Sequence, residues 1–220
     1  MHITVLIRRV ACSCLAILVV LSACGCAESH RFETLPPGAV VLAFGDSITA
    51  GMGAPPGLDY PTRLAAETGW NVVNAGVSGD TAREAGGRLA PLLASHNPAL
   101  VIVELGGNDF LRQAPARQVR SHLQAIIREA RSSGALVALV AVPRISLLRA
   151  SVGALEDSPI YAELASEESI LLIGDVLSDI LSDDRLRADE IHPNAQGYEQ
   201  LALGVKAALS EAGLLALRQR

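Results

Sequence analysis

The sequence predicts an α/β protein, a three-layer α/β/α sandwich around a sheet of about five parallel strands. Short runs that are apolar at every position alternate along the chain with longer segments of helical periodicity. Strands that are apolar throughout are typical of a parallel sheet whose two faces are both covered by helices. Half of the 220 residues are hydrophobic and only 19% are charged, which excludes an intrinsically disordered chain.

Five apolar runs are the predicted strands and five amphipathic segments are the predicted helices. The strands cover residues 40–44, 71–75, 100–105, 136–142 and 170–173. The helices cover residues 60–68, 81–94, 115–132, 158–168 and 194–212. We expect residues 39–220 to form one domain, because about 180 residues suit a single hydrophobic core.

Residues 1–23 have the pattern of a secretory signal. Two arginines precede an apolar run of about a dozen residues, which is shorter than the roughly 20 residues needed to span a bilayer. Residues 21–25, Leu-Ser-Ala-Cys-Gly, resemble the bacterial lipobox, and this resemblance implies cleavage before Cys24 and lipidation of its thiol. We therefore expect a cell-envelope protein, lipid-anchored to a bacterial membrane and facing the periplasm or the exterior. The alternative is cleavage near Ala27 and secretion as a soluble chain.

Residues 24–38 are polar, end in Pro-Pro-Gly and form a predicted tether to the anchor. All four cysteines lie between Cys12 and Cys26, so residues 39–220 contain no disulfide and no cysteine metal site.

Without residues 1–23 the chain has 16 basic and 23 acidic residues, hence a net charge of −7. This balance argues against binding nucleic acid or anionic lipid by charge. The membrane contact that we expect is the lipid anchor, and we expect a monomer.

Small polar loops follow the first three predicted strands. They are Gly-Asp-Ser-Ile-Thr at 45–49, Gly-Val-Ser-Gly-Asp-Thr at 76–81 and Gly-Gly-Asn-Asp at 106–109. Ligands of parallel sheets gather beyond the carboxyl ends of the strands, so these loops are where a site is expected. Ser47 lies two residues past a strand, but a serine hydroxyl needs a neighbouring base to become a nucleophile.

Among the five histidines, His192 alone has a carboxylate three residues before it, at Asp189. This spacing lets Asp189 accept a hydrogen bond from Nδ1–H and leaves Nε2 to take the serine proton. His96 is expected in a surface loop and His122 on a helix surface. Taken singly, the other motifs have ordinary structural explanations: turn glycines, a helix cap at residues 108–109 and a loop carboxylate at Asp189.

These motifs together resemble the four sequence blocks of the SGNH, or GDSL, hydrolases. The blocks are residues 45–49, Gly79, residues 107–109 and the Asp189-x-x-His192 pair, in the order of that family. Residues 73–81 and 103–109 are most similar to the bacterial thioesterase I, lysophospholipase and arylesterase branch. The resemblance spans residues 41 to about 203 and implies the flavodoxin-like SGNH hydrolase fold.

The resemblance also implies a role for each matched residue. Ser47 would be the nucleophile, His192 the general base and then acid, and Asp189 the carboxylate that orients it. The oxyanion hole would consist of the backbone N–H groups of Ser47 and Gly79 and the side-chain amide of Asn108. This chemistry requires no cofactor and no metal. Asp46 and Asp80 are assigned to local hydrogen bonding.

The expected function is a serine esterase that hydrolyses carboxylic esters or thioesters of acyl chains, such as lysophospholipids, acyl-CoA or aryl esters, through an acyl-enzyme. No Gly-x-Ser-x-Gly elbow and no nucleotide-binding glycine motif is present in the sequence. Ile145, Leu147, Leu148 and Leu155 either line an acyl groove or pack against a neighbouring helix. Two other functions stay open: a carbohydrate O-deacetylase with the same triad, and an envelope lipoprotein that binds acyl chains without turnover.

Overall fold

The computed structural model describes residues 32–144 and 155–215, and in this part five parallel strands form one sheet. The strands are β1 (Val40–Gly45), β2 (Asn71–Gly76), β3 (Leu100–Glu104), β4 (Leu136–Val140) and β5 (Leu171–Ile173). Their order across the sheet is β2-β1-β3-β4-β5. The predicted α/β class and the predicted number of strands are confirmed.

Helices cover both faces of the sheet. They are α1 (Ser47–Ala50), α2 (Tyr60–Thr68), α3 (Ala82–Gly86), α4 (Leu89–His96), α5 (Gly107–Leu111), α6 (Ala116–Ser132), α7 (Pro159–Glu168), α8 (Val176–Ser182) and α9 (Ala195–Glu211). α2, α8 and α9 pack together on one face, whereas α3, α4, α6 and α7 pack together on the other. Within residues 32–144 and 155–215, every helix is too short or too polar to cross a membrane.

The burial of the strands follows their place in the sheet. β3 is buried along its whole length, and β1 and β4 are buried except at their first residues. The outer strands β2 and β5 are partly exposed. The expectation that all five strands are buried on both faces is therefore wrong for the two edges, where one side of the strand has no neighbour to cover it.

The predicted continuous helix at 81–94 is in fact two helices, α3 and α4. The break falls at Gly87 and Arg88, after a helix that Thr81 and Glu84 begin with a reciprocal capping box. Two successive glycines weaken helix propagation at this point. The break turns the side chain of Arg88 back toward the sheet, where it bonds the backbone of β1 and β2.

Close packing at the carboxyl end of β1 fixes α1 on the sheet. A Cβ atom added to Gly45 would lie 2.0 Å from Thr49 Oγ1 and 2.5 Å from the Glu104 carbonyl oxygen, and one added to Gly76 would lie 2.2 Å from the Ala50 nitrogen. Such distances are far below van der Waals contact, so only glycine fits at either strand end. The absence of side chains here lets α1 lie directly against the ends of β1 and β2.

The described part of the predicted tether lies along the domain. The Phe32 N–H donates to the Ala212 carbonyl and the Leu35 N–H to the Leu214 carbonyl. Both side chains pack against the hydrophobic core. Cys24 and the predicted signal lie outside the described residues.

Two carboxyl groups are buried beneath the end of β1. Glu104 is fully buried; its Oε2 accepts a 2.8 Å hydrogen bond from Thr49 Oγ1, and its Oε1 has no partner among the described residues. Burial, with the charge of Asp46 nearby, raises the pKa of Glu104 well above its usual range. Burial also raises the pKa of Asp46 to about 6, although hydrogen bonds from Ile48 and Asn108 oppose the shift.

The raised pKa of Glu104 predicts a stability that falls with pH. The folded state holds this proton more tightly than the unfolded state, so the stabilisation is complete below the ordinary glutamate pKa and is lost progressively as the pH rises toward the folded-state pKa. Glu104→Gln removes the titrating group and retains an acceptor for Thr49. We expect its free energy of unfolding, measured by urea denaturation, to exceed that of the wild type by an increasing margin from pH 4.5 to pH 8. A margin that does not change with pH would contradict the proton on Glu104.

Candidate active site

Ser47, His192 and Asp189 form a continuous chain of hydrogen bonds at the carboxyl edge of the sheet. Ser47 Oγ lies 3.0 Å from His192 Nε2, and His192 Nδ1 lies 2.8 Å from Asp189 Oδ2. The carboxylate can only accept from Nδ1, which requires the proton on Nδ1 and leaves Nε2 to accept from the serine hydroxyl. The hydroxyl is therefore held by a base that a carboxylate orients.

The start of α1 orients Ser47. Asp46 is the N-cap residue, and its Oδ1 accepts a 3.1 Å hydrogen bond from the Ile48 N–H. Ser47 is the first residue of α1, so its own N–H has no acceptor in a preceding helical turn. Gly51 ends the helix in the left-handed conformation, with a φ of +90°. The serine thus lies on a single, tightly terminated helical turn directly after β1.

His192 lies in a loop that is closed on itself by hydrogen bonds. The Ala188 N–H donates to the His192 carbonyl at 2.8 Å, and Asn194 donates its amide to the carbonyls of Arg185 and Arg187. Asn194 Oδ1 also caps α9 by accepting from the second and third residues of that helix. The predicted helix start after Pro193 is confirmed, and the same asparagine ties the histidine loop to it.

Gly53 allows the serine and histidine segments to meet. Its φ of +95° favours glycine, and a Cβ atom there would lie 2.6 Å from the Pro193 carbonyl oxygen and 3.3 Å from His192 Cβ. The turn that contains it is also held from α9, because Tyr198 donates its hydroxyl to the Met52 carbonyl at 2.7 Å. The segment after the serine therefore packs directly against the histidine loop.

Asp189 is half-exposed, yet its charged form is stabilised. Burial would raise the pKa of Asp189, but the hydrogen bonds from His192 Nδ1 and from the backbone N–H groups of Ile191 and His192 outweigh it and lower the pKa. The carboxylate is therefore ionised at neutral pH and holds the imidazole at two points, through the ring and through the backbone.

The other residues singled out by the sequence converge on the same edge. Gly79 has a φ of +88°, a conformation that side chains disfavour, and it lies in the loop after β2. Asn108 lies at the start of α5, and its Nδ2 donates to Asp46 Oδ2 at 2.9 Å and to the Asp80 carbonyl at 3.1 Å. Asp46 and Asp80 thus have the local hydrogen-bonding roles that the sequence predicts.

The remaining candidates lie away from this edge or outside the described residues. His96 ends α4, and His122 is a partly buried residue of α6 whose Nδ1 has no partner within residues 32–144 and 155–215. The expectation that His122 lies on the helix surface is therefore only partly right. Leu155 is buried in the core, whereas the other three side chains of the predicted groove lie outside the described residues.

Sequence reasoning missed the residues that support the site from below and behind. These are Thr49, Gly53, Arg88, Glu104 and Tyr198. Thr49 and Glu104 lie inside the segments that resemble the family, but the sequence assigns them no role; they bond each other beneath the serine turn. A Gly-Gly-Arg sequence inside an apparent helix was the one available signal, and it marks Arg88. The others occupy positions that look like ordinary strand, turn or helix residues.

Comparison with known proteins gives concordant matches. The GDSL-like Lipase/Acylhydrolase family matches residues 43–200. Esterase TesA of Pseudomonas aeruginosa is 35% identical over 162 residues, 70% of this chain and 79% of that protein. The thioesterase 1/protease 1/lysophospholipase L1 of Escherichia coli is 33% identical over 170 residues, 74% of this chain and 79% of that protein. A crystal structure of TesA superposes with a TM-score of 0.68 at 31% identity and covers 79% of this chain and 99% of that one.

The family match covers well over half of the chain, and it includes both the serine turn and the histidine loop. The relatives exceed 30% identity over most of their own lengths, and the superposed structure shares the fold of this chain over nearly its whole length. The chain therefore belongs to the GDSL-like lipase/acylhydrolase family and is a serine esterase.

Proposed function

We propose that this esterase hydrolyses carboxylic esters and thioesters of acyl chains through an acyl-enzyme on Ser47. The observation that carries the proposal is the unbroken line of hydrogen bonds from Ser47 Oγ through His192 to Asp189. A serine hydroxyl becomes nucleophilic when an adjacent base removes its proton as it attacks. His192 is placed to do so, since its Nε2 is 3.0 Å from the hydroxyl oxygen.

The reaction proceeds in two acyl transfers. Ser47 Oγ attacks the carbonyl carbon while its proton moves to His192 Nε2. The tetrahedral intermediate then collapses, and the imidazolium returns that proton to the departing alcohol or thiol. A water molecule repeats the sequence on the acyl-enzyme, with His192 again as base and then acid, and releases the carboxylic acid. Ionised Asp189 stabilises the imidazolium in both halves.

The charge that develops on the carbonyl oxygen is stabilised by three donors, the N–H groups of Ser47 and Gly79 and the amide of Asn108. Both hydrogens of the Asn108 amide are already directed at protein acceptors. An oxyanion carries more charge than the Asp80 carbonyl oxygen, so it competes for the second hydrogen as the intermediate forms. Donation that strengthens only at this stage favours the transition state over the bound ester.

The relatives and the aromatic residues of the chain both favour an acyl ester as substrate. One matched protein is an esterase, and the other is named as a thioesterase, protease and lysophospholipase. The substrates of these enzymes share an acyl group with a reactive carbonyl. The chain has a single tryptophan, Trp70, and it is buried in the core, so it offers no platform for stacking a sugar ring. Both observations favour an acyl ester over an acetylated carbohydrate.

The first test removes the nucleophile. Ser47→Ala should lower kcat for p-nitrophenyl butyrate by at least about 10³-fold, because the attacking oxygen is gone while the binding surface stays. The control is Ser132→Ala, a serine at the end of α6 whose hydroxyl bonds only its own helix, and it should retain the wild-type rate. An unchanged rate in Ser47→Ala would refute the serine mechanism.

The second test measures kcat/KM for p-nitrophenyl esters from acetate to palmitate, and for a matched acyl thioester. An acyl esterase should prefer chains longer than acetate, because each additional buried methylene contributes about 0.8 kcal/mol, or roughly fourfold, until the binding surface is filled. Activity confined to acetate would favour the O-deacetylase. Binding of long acyl chains with no turnover of any ester would favour an acyl-binding lipoprotein.

We propose further that the mature protein begins at Cys24 and is anchored to a bacterial membrane by lipid on that thiol. The support is the basic start, the apolar run and the lipobox-like residues 21–25. One acyl chain binds a membrane only weakly, so stable attachment requires a second membrane-binding signal, such as a further acyl chain.

This anchor predicts a labelled, detergent-soluble product. In a bacterial host, the full chain should incorporate radiolabelled palmitate and partition into the detergent phase, whereas Cys24→Ala should do neither. Cys26→Ala is the matched control, since it lies outside the lipobox and should behave as wild type. Release of an unlabelled chain that starts near Glu28 would contradict the proposal.

A further inference from the structure

Arg88, which lies between α3 and α4, makes hydrogen bonds at the carboxyl edge of the sheet. All three guanidinium nitrogens donate hydrogen bonds: Nε to Asp80 Oδ2 at 2.7 Å, Nη1 to the Ala75 carbonyl at 2.7 Å, and Nη2 to the Gly45 carbonyl at 2.8 Å. The guanidinium carbon Cζ also lies over the Phe44 ring, 4.5 Å from its centroid. A rigid planar donor thus joins the end of β1, the end of β2 and the loop after β2.

Each of those acceptors lies within four residues of a proposed oxyanion donor. The Gly45 carbonyl ends β1 two residues before Ser47. Ala75 is the next-to-last residue of β2, the strand that precedes the loop with Gly79, and Asp80 directly follows that glycine. Arg88 therefore fixes the spacing between the segment with the Ser47 N–H and the segment with the Gly79 N–H.

Asp80 connects Arg88 to the third proposed donor, the Asn108 amide. The Asp80 side chain accepts from Arg88, and its backbone carbonyl accepts from Asn108 Nδ2 at 3.1 Å. From the outer side, Arg112 donates to the Gly79 carbonyl at 2.9 Å. The loop after β2 is thus held at its side chain and at its backbone. Arg88 joins it to β1 together with the Val77 N–H, which donates to the same Gly45 carbonyl at 3.1 Å.

We propose that Arg88 is a positioning residue that holds the three oxyanion donors at the spacing that the tetrahedral intermediate requires. It contacts neither the reacting atoms nor the leaving group; it acts through the backbone that presents the donors. The inference rests on the proposed acyl-enzyme mechanism, and it adds a residue from outside the sequence blocks that identify the family. Because hydrogen bonds to an oxyanion lose most of their effect when the donors are displaced, loosening this frame should cost turnover more than substrate binding.

The test compares Arg88→Ala with Arg63→Ala. Arg63 is a close structural match: its side chain is 24% exposed, as is that of Arg88, it donates to two backbone carbonyls, and it pairs with a glutamate. We expect both variants to lower Tm. Arg88→Ala should also lower kcat by about 10- to 10²-fold with a KM within about threefold of wild type, whereas Arg63→Ala should retain kcat.

Two readouts separate positioning from stability alone. Millimolar guanidinium chloride should restore at least part of the kcat of Arg88→Ala, and sodium chloride at the same ionic strength should not. In the Asn108→Ala background, Arg88→Ala should cost less in kcat than it does in the wild type, because both changes act on one set of donors. Additive effects on kcat, or guanidinium rescue of Tm without rescue of kcat, would overturn the inference.

If Arg88→Ala does not fold, Asp80→Asn tests the same contact, because it keeps the side-chain volume and removes the charge that Arg88 binds. It should lower kcat by about tenfold at constant KM, in line with the loss of a charge-assisted hydrogen bond. A wild-type kcat in Asp80→Asn would count against the role of Arg88. Wild-type protein without esterase activity would instead refute the proposed mechanism, so the two failures are distinguishable.

Discussion

The parallel register of three neighbouring strands is the constraint on which the whole site depends. Gly45 of β1 stands in one row with Gly76 of β2 and Glu104 of β3, so the loops that follow these strands leave the sheet from a common line. Loops of a few residues then suffice to bring Ser47, the residues near Gly79 and Asn108 together. A slip of one residue in either pairing would move a loop by about 3.3 Å, more than the length of the hydrogen bonds between them.

Three carboxyl groups near the serine have different chemical states because their surroundings differ. Asp189 is half-exposed and hydrogen-bonded to donors, and its pKa is lowered, so it can balance an imidazolium. Asp46 is buried, and the hydrogen bonds that it accepts from the start of α1 and from Asn108 offset part of the cost of removing its carboxylate from water. Glu104 is fully buried with a raised pKa, and it serves as a polar support for Thr49 instead of a charge. Burial and hydrogen bonding thus produce one ionised carboxylate beside the histidine and two buried carboxyl groups that support the structure.

The sequence was sufficient for those parts of the molecule that follow from local patterns. Apolar runs located all five strands, and the Asp189-x-x-His192 spacing located the hydrogen bond that the structure contains. Short helices such as α1 and α5 were not predicted, because a single turn has no periodicity to detect. The two glycines before Arg88 are a local signal for the helix break, but they do not show where its side chain lies, because Gly45 and Ala75, which hold it, belong to other elements. Such contacts depend on strand order, which no local pattern encodes.

The contact of Gly53 with the histidine loop joins an early and a late part of the polypeptide. Ser47 and His192 are separated by 145 positions, and they meet only where that glycine packs against Pro193 and where Tyr198 of the last helix bonds the Met52 carbonyl. A chain that lacks its final elements has neither the His192 imidazole nor the contacts that hold it beside Ser47. The contact between Ser47 and His192 therefore forms only after almost the whole polypeptide has been made, and an incomplete chain has no imidazole beside the serine hydroxyl.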